Sequence, residues 1–449
     1  MYITRIAAKQ FKCFSSVDVE LPKLTLLTGA NSSGKSSLLY ALFLPFQSVG
    51  FPFYLSPNGK YVNMGDFIEM VHCNKKKEII ELDLAVQFAP KKTIEFLTRW
   101  MLDPHSSLPQ LKSLRVSGKF VDVSVVRSSK GSGYILKLRT DISGYTKSED
   151  FKTVKAISSF LESLQKLGPS KRRKGLPKGM EMSFELKDIR GRHFVGLEEL
   201  IRQLKSMAVQ PISTILAQLD FVEHDLNYIG SFRLEPERTY YQRSKADREI
   251  GRSGENYIEQ VIEWERRKAP EFAALRDSLN KLGLLTGLRT RLMQGGRFEV
   301  SVKTERSGVW ASLTDVGYGI SQFLPIAVAD LQLSKESTLA VAQPEIHLHP
   351  KVQAALGDYF VERIQKQKRR YVLETHSEYL LNRVRLLIVK GNIEPSEVGI
   401  YYFQCSGCEA TVHRLAFTKS GKIEGAPQGF FDTYMMDVMD IALKAEQRV

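Results

Sequence analysis

The sequence predicts an α/β fold in which strands alternate with helices around a phosphate-binding loop, and three stretches predict it. The first is Gly29-Ala30-Asn31-Ser32-Ser33-Gly34-Lys35-Ser36, between an apolar run at 24–28 and a helical run at 37–43. The second is a pair of buried-strand patterns at 337–342 and 370–374, separated by helical periodicity at 352–365, which reads as a parallel βαβ unit. The third is Asp315-Val316-Gly317-Tyr318-Gly319-Ile320-Ser321-Gln322, placed before a helical pattern at 323–332.

Composition sets the bounds. A chain of 449 residues with 43% hydrophobic and 10% aromatic content can bury a large core divided among two or three domains. No apolar run reaches the roughly 20 residues that a membrane span needs, so no membrane partner is expected. The first residues read as a strand and not as a secretory leader. Four cysteines in so long a chain argue against a disulfide framework and fit a reducing cytoplasm. The formal charge of +14 favours a polyanionic partner such as nucleic acid. Its densest cluster, 171–174, lies among glycines and prolines, so a basic docking loop and a merely solvated one both stay open.

Along the chain, residues 1–90 read as strands around the phosphate loop and close on an alternating strand at 78–88. Residues 91–225 are mixed: 97–101 looks helical, 120–126 like a strand, and 158–166 and 197–204 helical. This stretch is expected to be a largely helical α+β insertion that offers a partner or oligomer surface. Residues 226–395 return to the first domain with helices near 254–266 and 270–282, strands near 297–304 and 308–313, and then the βαβ unit. The tail, 396–449, carries strands near 398–404 and 410–415 and a terminal helix. No heptad repeat is sustained, so no long coiled-coil arm is expected.

The first stretch fits G-x-x-x-x-G-K-[ST] in its proper setting of strand, loop and helix. Loop N–H groups and the helix start converge on one place and favour an anion there. Gly29 to Gly34 would wrap the phosphates of ATP, with Ser37 beside them. Lys35 would reach the β- and γ-phosphates, and the Ser36 hydroxyl would ligate Mg²⁺. His376, at the end of a strand, is placed to meet a γ-phosphate or the attacking water.

In this order the segments resemble the ABC-class P-loop ATPase head: a central mixed sheet flanked by helices. The resemblance makes 29–36 the Walker A loop, 315–322 the signature, 337–345 the Walker B strand, 344–350 the D-loop and His376 the switch histidine. It implies head-to-tail pairs of heads in which Gly317, Gly319 and Ser321 of one copy cap the nucleotide held by another. The wording of 315–322 and of Gln343-Pro344-Glu345-Ile346-His347-Leu348-His349-Pro350 is similar to OLD-like ATPases of bacterial anti-phage defence, the subunits of Septu or PARIS type systems. So are 61–67, 231–236 and 427–432. The residues after His376 are too few for the TOPRIM nuclease domain of OLD proteins, which implies a separate effector, expected to be a nuclease. The alternative is a DNA-repair or DNA-structure ATPase of the SMC-like class that binds nucleic acid directly.

One departure bears on chemistry. A Walker B strand ends in an acid that serves Mg²⁺, followed by a glutamate that polarises water; here those positions hold Ala342 and Gln343. Binding of ATP with slow or absent hydrolysis is therefore expected, with Gln343, Glu345 and His376 as the remaining catalytic candidates. A metal site on Glu345, His347, His349 and His376 is the weaker reading of those residues, and Cys405-Ser-Gly-Cys408 reads as a hairpin turn.

Overall fold

A computed structural model describes residues 2–48, 50–75, 78–89, 92–103, 107–118, 121–128, 134–140, 180–186, 225–241 and 249–427. The chain divides into two compact units, one of 1–20, 36–226 and 406–409, the other of 21–35, 227–405 and 410–449.

The first unit is an eight-stranded sheet with the order β2-β1-β4-β5-β6-β7-β8-β9. Its strands are β1 (Tyr2–Phe11), β2 (Phe14–Glu20), β4 (Ile80–Ala89), β5 (Lys92–Leu102), β6 (Pro109–Ser117), β7 (Val121–Arg127), β8 (Tyr134–Thr140) and β9 (Met180–Leu186). Neighbours pair antiparallel along the sheet. The strands expected at 78–88 and 120–126 are present. Residues 97–101 correct the sequence reading: they form part of β5 and not a helix. Ile94, Phe96, Thr98 and Trp100 are all buried, a period of two. Thr98 hid it, because a hydroxyl occupies a core position. It does so by donating to Leu82 O at 3.1 Å while accepting from Trp100 Nε1 at 2.8 Å. The helices expected at 158–166 and 197–204, the basic loop at 171–174 and the terminal helix lie outside the described residues.

Helix α1 (Lys35–Gln47) follows the phosphate loop, and a one-turn helix, α2 (Phe67–Met70), is capped by Asp66, which accepts from Glu69 N at 3.0 Å. Residues 61–67 are fixed from within the first unit: Gln47 Oε1 accepts from Tyr61 N and Val62 N at 3.2 and 2.8 Å.

The cysteine count suggested no bridge, yet Cys73 and Cys408, 335 positions apart, form one. Cys405 is exposed and takes no part in that bridge. The turn expected at 405–408 is present, with Gly407 at φ +63° between β17 (Val398–Ser406) and β18 (Glu409–Phe417).

The second unit is built on a seven-stranded sheet, β10-β15-β16-β3-β17-β18-β19. Its other strands are β3 (Leu24–Gly29), β10 (Leu226–Ile229), β15 (Thr338–Ala342), β16 (Arg370–Glu374) and β19 (Ile423–Glu424). Strands β15, β16, β3 and β17 run parallel, and β3 and β15 are buried at every position, as central parallel strands covered on both faces must be. A smaller sheet holds β11 (Tyr240–Tyr241), β12 (Gly287–Leu292), β13 (Arg297–Lys303) and β14 (Ala311–Ser312). The helices are α3 (Tyr257–Arg266), α4 (Pro270–Lys281), α5 (Tyr318–Gln332), α6 (Pro350–Gln367) and α7 (Glu378–Val389). All but β10, β11, β12, β19 and α7 answer to elements read from the sequence, although α5 starts five residues earlier than its apolar pattern. No described helix is long and apolar enough to cross a membrane.

One polar cluster runs through this core. Asp330 on α5 is fully buried and accepts from Tyr359 OH at 2.7 Å and Tyr371 OH at 2.6 Å. It also pairs with Arg363 Nε and Arg369 Nη1, each at 3.2 Å. One carboxylate thus joins α5, α6 and β16. Removing it strands two buried guanidinium groups, so Asp330→Ala is expected to cost about 3–5 kcal/mol. The fall in the urea midpoint, converted with the measured slope, checks this; a loss under about 1 kcal/mol would show the network to be dispensable.

A candidate nucleotide site at the edge of the parallel sheet

Register decides where the site lies. Leu27 of β3 pairs with Glu374 of β16, and Glu374 with Ala342 of β15. Parallel strands in that register end together, so the phosphate loop, the 343–349 segment and His376 leave the sheet at one edge, where α/β folds bind ligands.

The loop is shaped by backbone geometry. Gly29 at φ +137° and Gly34 at φ +105° occupy conformations closed to side chains, and Ser32 is left-handed at φ +58°. A Cβ on Gly29 would lie 2.3 Å from Phe403 O, so that position admits only glycine. Ala30, Asn31 and Ser32 are exposed while Ser33 is buried, and the helix begins at Lys35. Lys35 is 3% exposed and donates to Gly29 O at 3.0 Å and Ala30 O at 2.7 Å. Burial lowers the pKa of its ammonium, against the pull of Glu374 and Glu345. Ser36 and Ser37 continue the first turn of α1.

Past Ala342 the chain turns sharply. Gln343 is left-handed at φ +50° and donates its N–H to Glu374 O at 2.6 Å. Glu345 is 8% exposed; its Oε1 accepts from His376 N at 2.7 Å, and its Oε2 has no hydrogen-bond partner. Burial pushes this carboxyl upward, against the His376 N–H and Arg233, which favour the charged form. His376 is pushed below its ordinary value by burial and by Lys35, so its ring is neutral at pH 7. Ser377 starts α7, its Oγ accepting from Leu380 N at 3.1 Å.

The sequence reading gave no role to two residues here. Arg233, within the quoted stretch 231–236, donates from Nη2 to Ala342 O at 2.6 Å and Gln343 O at 3.1 Å. Its Nε and Nη1 have no partner, and burial lowers its pKa to about 10. Glu374 is 6% exposed at the end of β16 and acts on Lys35 by charge. A buried arginine in an irregular loop and an acid ending an apolar strand were the available signals.

The second glycine segment packs on the turn that follows Ala342. A Cβ on Gly319 would lie 2.8 Å from His347 O, and Tyr318 stands over His347 with ring centroids 5.9 Å apart. Gly317 starts α5, is exposed, and has nothing within 4 Å of the place a Cβ would take. Ser321 lies inside the first turns, 1% exposed, with Oγ donating to Tyr318 O at 2.8 Å. Asp315 is held by Arg238 through two bonds, 2.7 and 3.0 Å. The alternative metal set is not assembled: His349 caps α6 through Nδ1, which accepts from Lys351 N at 3.3 Å, and among the described residues the donors of Glu345, His347, His349 and His376 form no cluster.

The arrangement suits a nucleoside triphosphate with its metal. The loop and helix start offer N–H groups, Lys35 offers charge, and partnerless buried atoms remain on Ser33 (Oγ), Arg233 and Glu345. Fold and site together define a P-loop ATPase.

The family described as AAA ATPase domain matches residues 1–218 and 244–381, most of the chain, and the chain belongs to it. A second family, described as a protein of unknown function (DUF3696), matches residues 393–441. No curated protein matches. Among solved structures the chain is similar to the SMC head domain from Thermotoga maritima, with 10% identity and a TM-score of 0.37 over 92% of this chain and 98% of that one. It is also similar to the Smc head domain with an extended coiled coil, bound to the C-terminal domain of ScpA, from Pyrococcus furiosus, with 13% identity and a TM-score of 0.40 over 98% and 99%.

Lys35→Ala removes the loop's one ammonium. A charge-assisted bond contributes roughly 1.5–3 kcal/mol, so ATP affinity should fall about 10- to 150-fold in a fluorescent-nucleotide titration. Unchanged affinity would take the loop out of ATP binding.

Proposed function

We propose that this protein is an ATP-controlled head that binds nucleotide tightly, turns it over slowly, and uses the bound state to pair with a second copy. The observation that carries this is the mismatch across the sheet edge: a complete phosphate loop faces a Walker B position filled by Ala342, whose carbonyl is taken by Arg233. Residues 29–37 would hold the phosphates. Ser36 would ligate Mg²⁺, with Glu345 and Glu374 as the acids at the same edge; the ion neutralises phosphate charge when bound. Gln343 is an amide and orients water without accepting its proton. Neutral His376 and the strained-upward carboxyl of Glu345 are the groups left to accept one, so proton removal is the weak step.

Gly317, Gly319 and Ser321 fit a role in trans. The exposed N–H groups at the start of the fifteen-residue helix α5 favour an anion, and the open space at Gly317 admits one. Ser321 would have to release Tyr318 O to take part. The wording shared with OLD-like defence ATPases supports a sensor or regulatory subunit that holds or releases a separate effector, a nuclease, as heads pair. The domain division at 90, 225 and 395 belongs to the same reading, with 91–225 as the partner surface. A formal charge of +14 favours the second reading, direct binding of DNA by an SMC-like head, and salt-sensitive duplex binding by the isolated chain would select it.

Two variants test the proposal. Ala342→Glu restores the carboxylate that serves Mg²⁺, whose charge stabilisation in the transition state contributes several kcal/mol, and should raise phosphate release by about 10²-fold or more; equal turnover in both proteins would refute impaired hydrolysis. Gly317→Glu places a negative charge where a partner's phosphate would sit. Sedimentation should show ATP-dependent pairing lost while the single chain still binds ATP; pairing undisturbed would refute the role in trans.

A further inference from the structure

Four side chains that the nucleotide site does not use meet at the hairpin turn of the first unit. His72 and Cys73 follow α2 directly, and Cys408 and Glu409 come from the turn and the first residue of β18. The donor atoms of His72, Cys73 and Cys408 lie within 4.8 Å of one another. Glu409 joins them, its Oε2 3.0 Å from His72 Nε2.

The surroundings fix how these donors point. His72 is 5% exposed, with Nδ1 3.1 Å from Lys12 O. A carbonyl only accepts, so Nδ1 carries a proton and donates, which leaves Nε2 as the ring atom that a proton or a metal can occupy. That Nε2 faces Cys73 Sγ at 3.2 Å as well as the Glu409 carboxylate. Glu409 is oriented in turn: Ser15 donates to its Oε1 from the backbone N at 3.2 Å and from Oγ at 2.7 Å, which leaves Oε2 toward the imidazole. A nitrogen and a carboxylate oxygen face each other this closely only with a cation between them, and a proton or a metal ion can be that cation. Oriented histidine and carboxylate donors with their outer atoms already hydrogen-bonded are what a metal site requires. Cys73 is held in the left-handed region, φ 49° and ψ 28°, a conformation that persists only where its surroundings fix it.

We propose that this cluster, with its cysteines reduced, is a zinc site whose ligands are His72 Nε2, the Cys73 and Cys408 thiolates and Glu409 Oε2. Two sulfurs, one imidazole and one carboxylate select zinc over the hard Mg²⁺ of the phosphate site. Bonds of about 2.0–2.3 Å put tetrahedral ligand atoms about 3.2–3.8 Å apart, close to the 3.2 Å and 3.0 Å that separate His72 Nε2 from the Cys73 sulfur and from Glu409 Oε2. The Cα atoms of the two cysteines, 6.0 Å apart, can stay where they are. In the bridged form the sulfurs bond to each other and give no thiolate. A phosphine reductant breaks that bond: phosphorus takes an oxygen from water and becomes phosphine oxide, and two thiols form. Zinc binding then displaces the two thiol protons. The Cys408 turn is exposed, so the ion has access.

The test uses the full chain, reduced with a phosphine, stripped by a chelator and titrated with Co²⁺ and then Zn²⁺. One Co²⁺ per chain, with the strong visible bands of tetrahedral cobalt and a thiolate charge-transfer band, and its displacement by Zn²⁺, is expected. Cys408→Ser should weaken binding at least tenfold and remove the charge-transfer intensity of one thiolate, with ATP affinity kept as the measure of folding. Ser15→Ala, which only frees the carboxylate, should weaken binding about 10-fold. Cys405→Ser should change nothing. Failure of the reduced chain to retain cobalt, a weak octahedral spectrum, or an unchanged spectrum in Cys408→Ser would each overturn the site.

Discussion

The register of three parallel strands is the constraint on which the nucleotide edge depends. Nothing in the chemistry of Leu27, Glu374 or Ala342 draws them together; the ladder does, by pairing β3 with β16 and β16 with β15 in step. A slip of one residue would reverse the faces of a strand buried on both sides and move its end by about 3.3 Å, out of reach of Lys35 and its loop. The buried carboxylate of Asp330 braces the same arrangement from the far side of the core, because Tyr371 and Arg369 stand at the start of β16. Stability in one part of the sheet is therefore spent on position in another.

That edge gathers charges of both signs, and the balance is unusual for a phosphate site. Lys35 is pulled by two carboxylates, Glu345 and Glu374, while burial works against its charge. Arg233 meets only carbonyl oxygens and the field of Glu345. A triphosphate bound at the loop, as proposed, would add negative charge beside Lys35, and the low dielectric of a buried edge would magnify the gain. The same low dielectric makes the absent acid at 342 consequential. Arg233 stabilises the carbonyls that follow the strand but contributes no oxygen to a metal, so the ligand set is thinner than the phosphate cradle beside it.

Much of this was legible in the sequence because local rules and tertiary demands agree there. The strand, glycine loop and helix around Lys35 need particular backbone angles, and glycine at 29 and 34 reveals them. The βαβ pattern from 337 to 374 is unambiguous because its strands are apolar throughout. Legibility failed where a polar group does core work. Thr98 broke the alternation of β5 by supplying a buried hydroxyl, and strand β12, mostly charged on its open face, left almost no apolar signal. Arg233 was visible only as part of a familiar phrase, since its partners are backbone carbonyls more than a hundred positions away. The Cys73–Cys408 pair was hidden by a larger separation still, 335 positions.

Gly319 and His347 show how the two ends of the site can inform each other without any direct contact with a phosphate. The turn after Ala342 is strained at two positions that are not glycine, Gln343 and His347. Such conformations persist only when their surroundings over-determine them. On one side the Gln343 N–H is held by Glu374 O; on the other, the helix that starts at Gly317 presses a glycine against His347 O and lays Tyr318 over its ring. Any shift of α5, as when its exposed start meets an anion, acts on that turn through a contact with no slack. Close packing transmits the displacement instead of absorbing it. The turn in turn carries Glu345, whose Oε1 accepts the His376 N–H. Under the proposed pairing, an anion met at Gly317 would act through rigid backbone, and not through a flexible side chain, on Glu345 and His376.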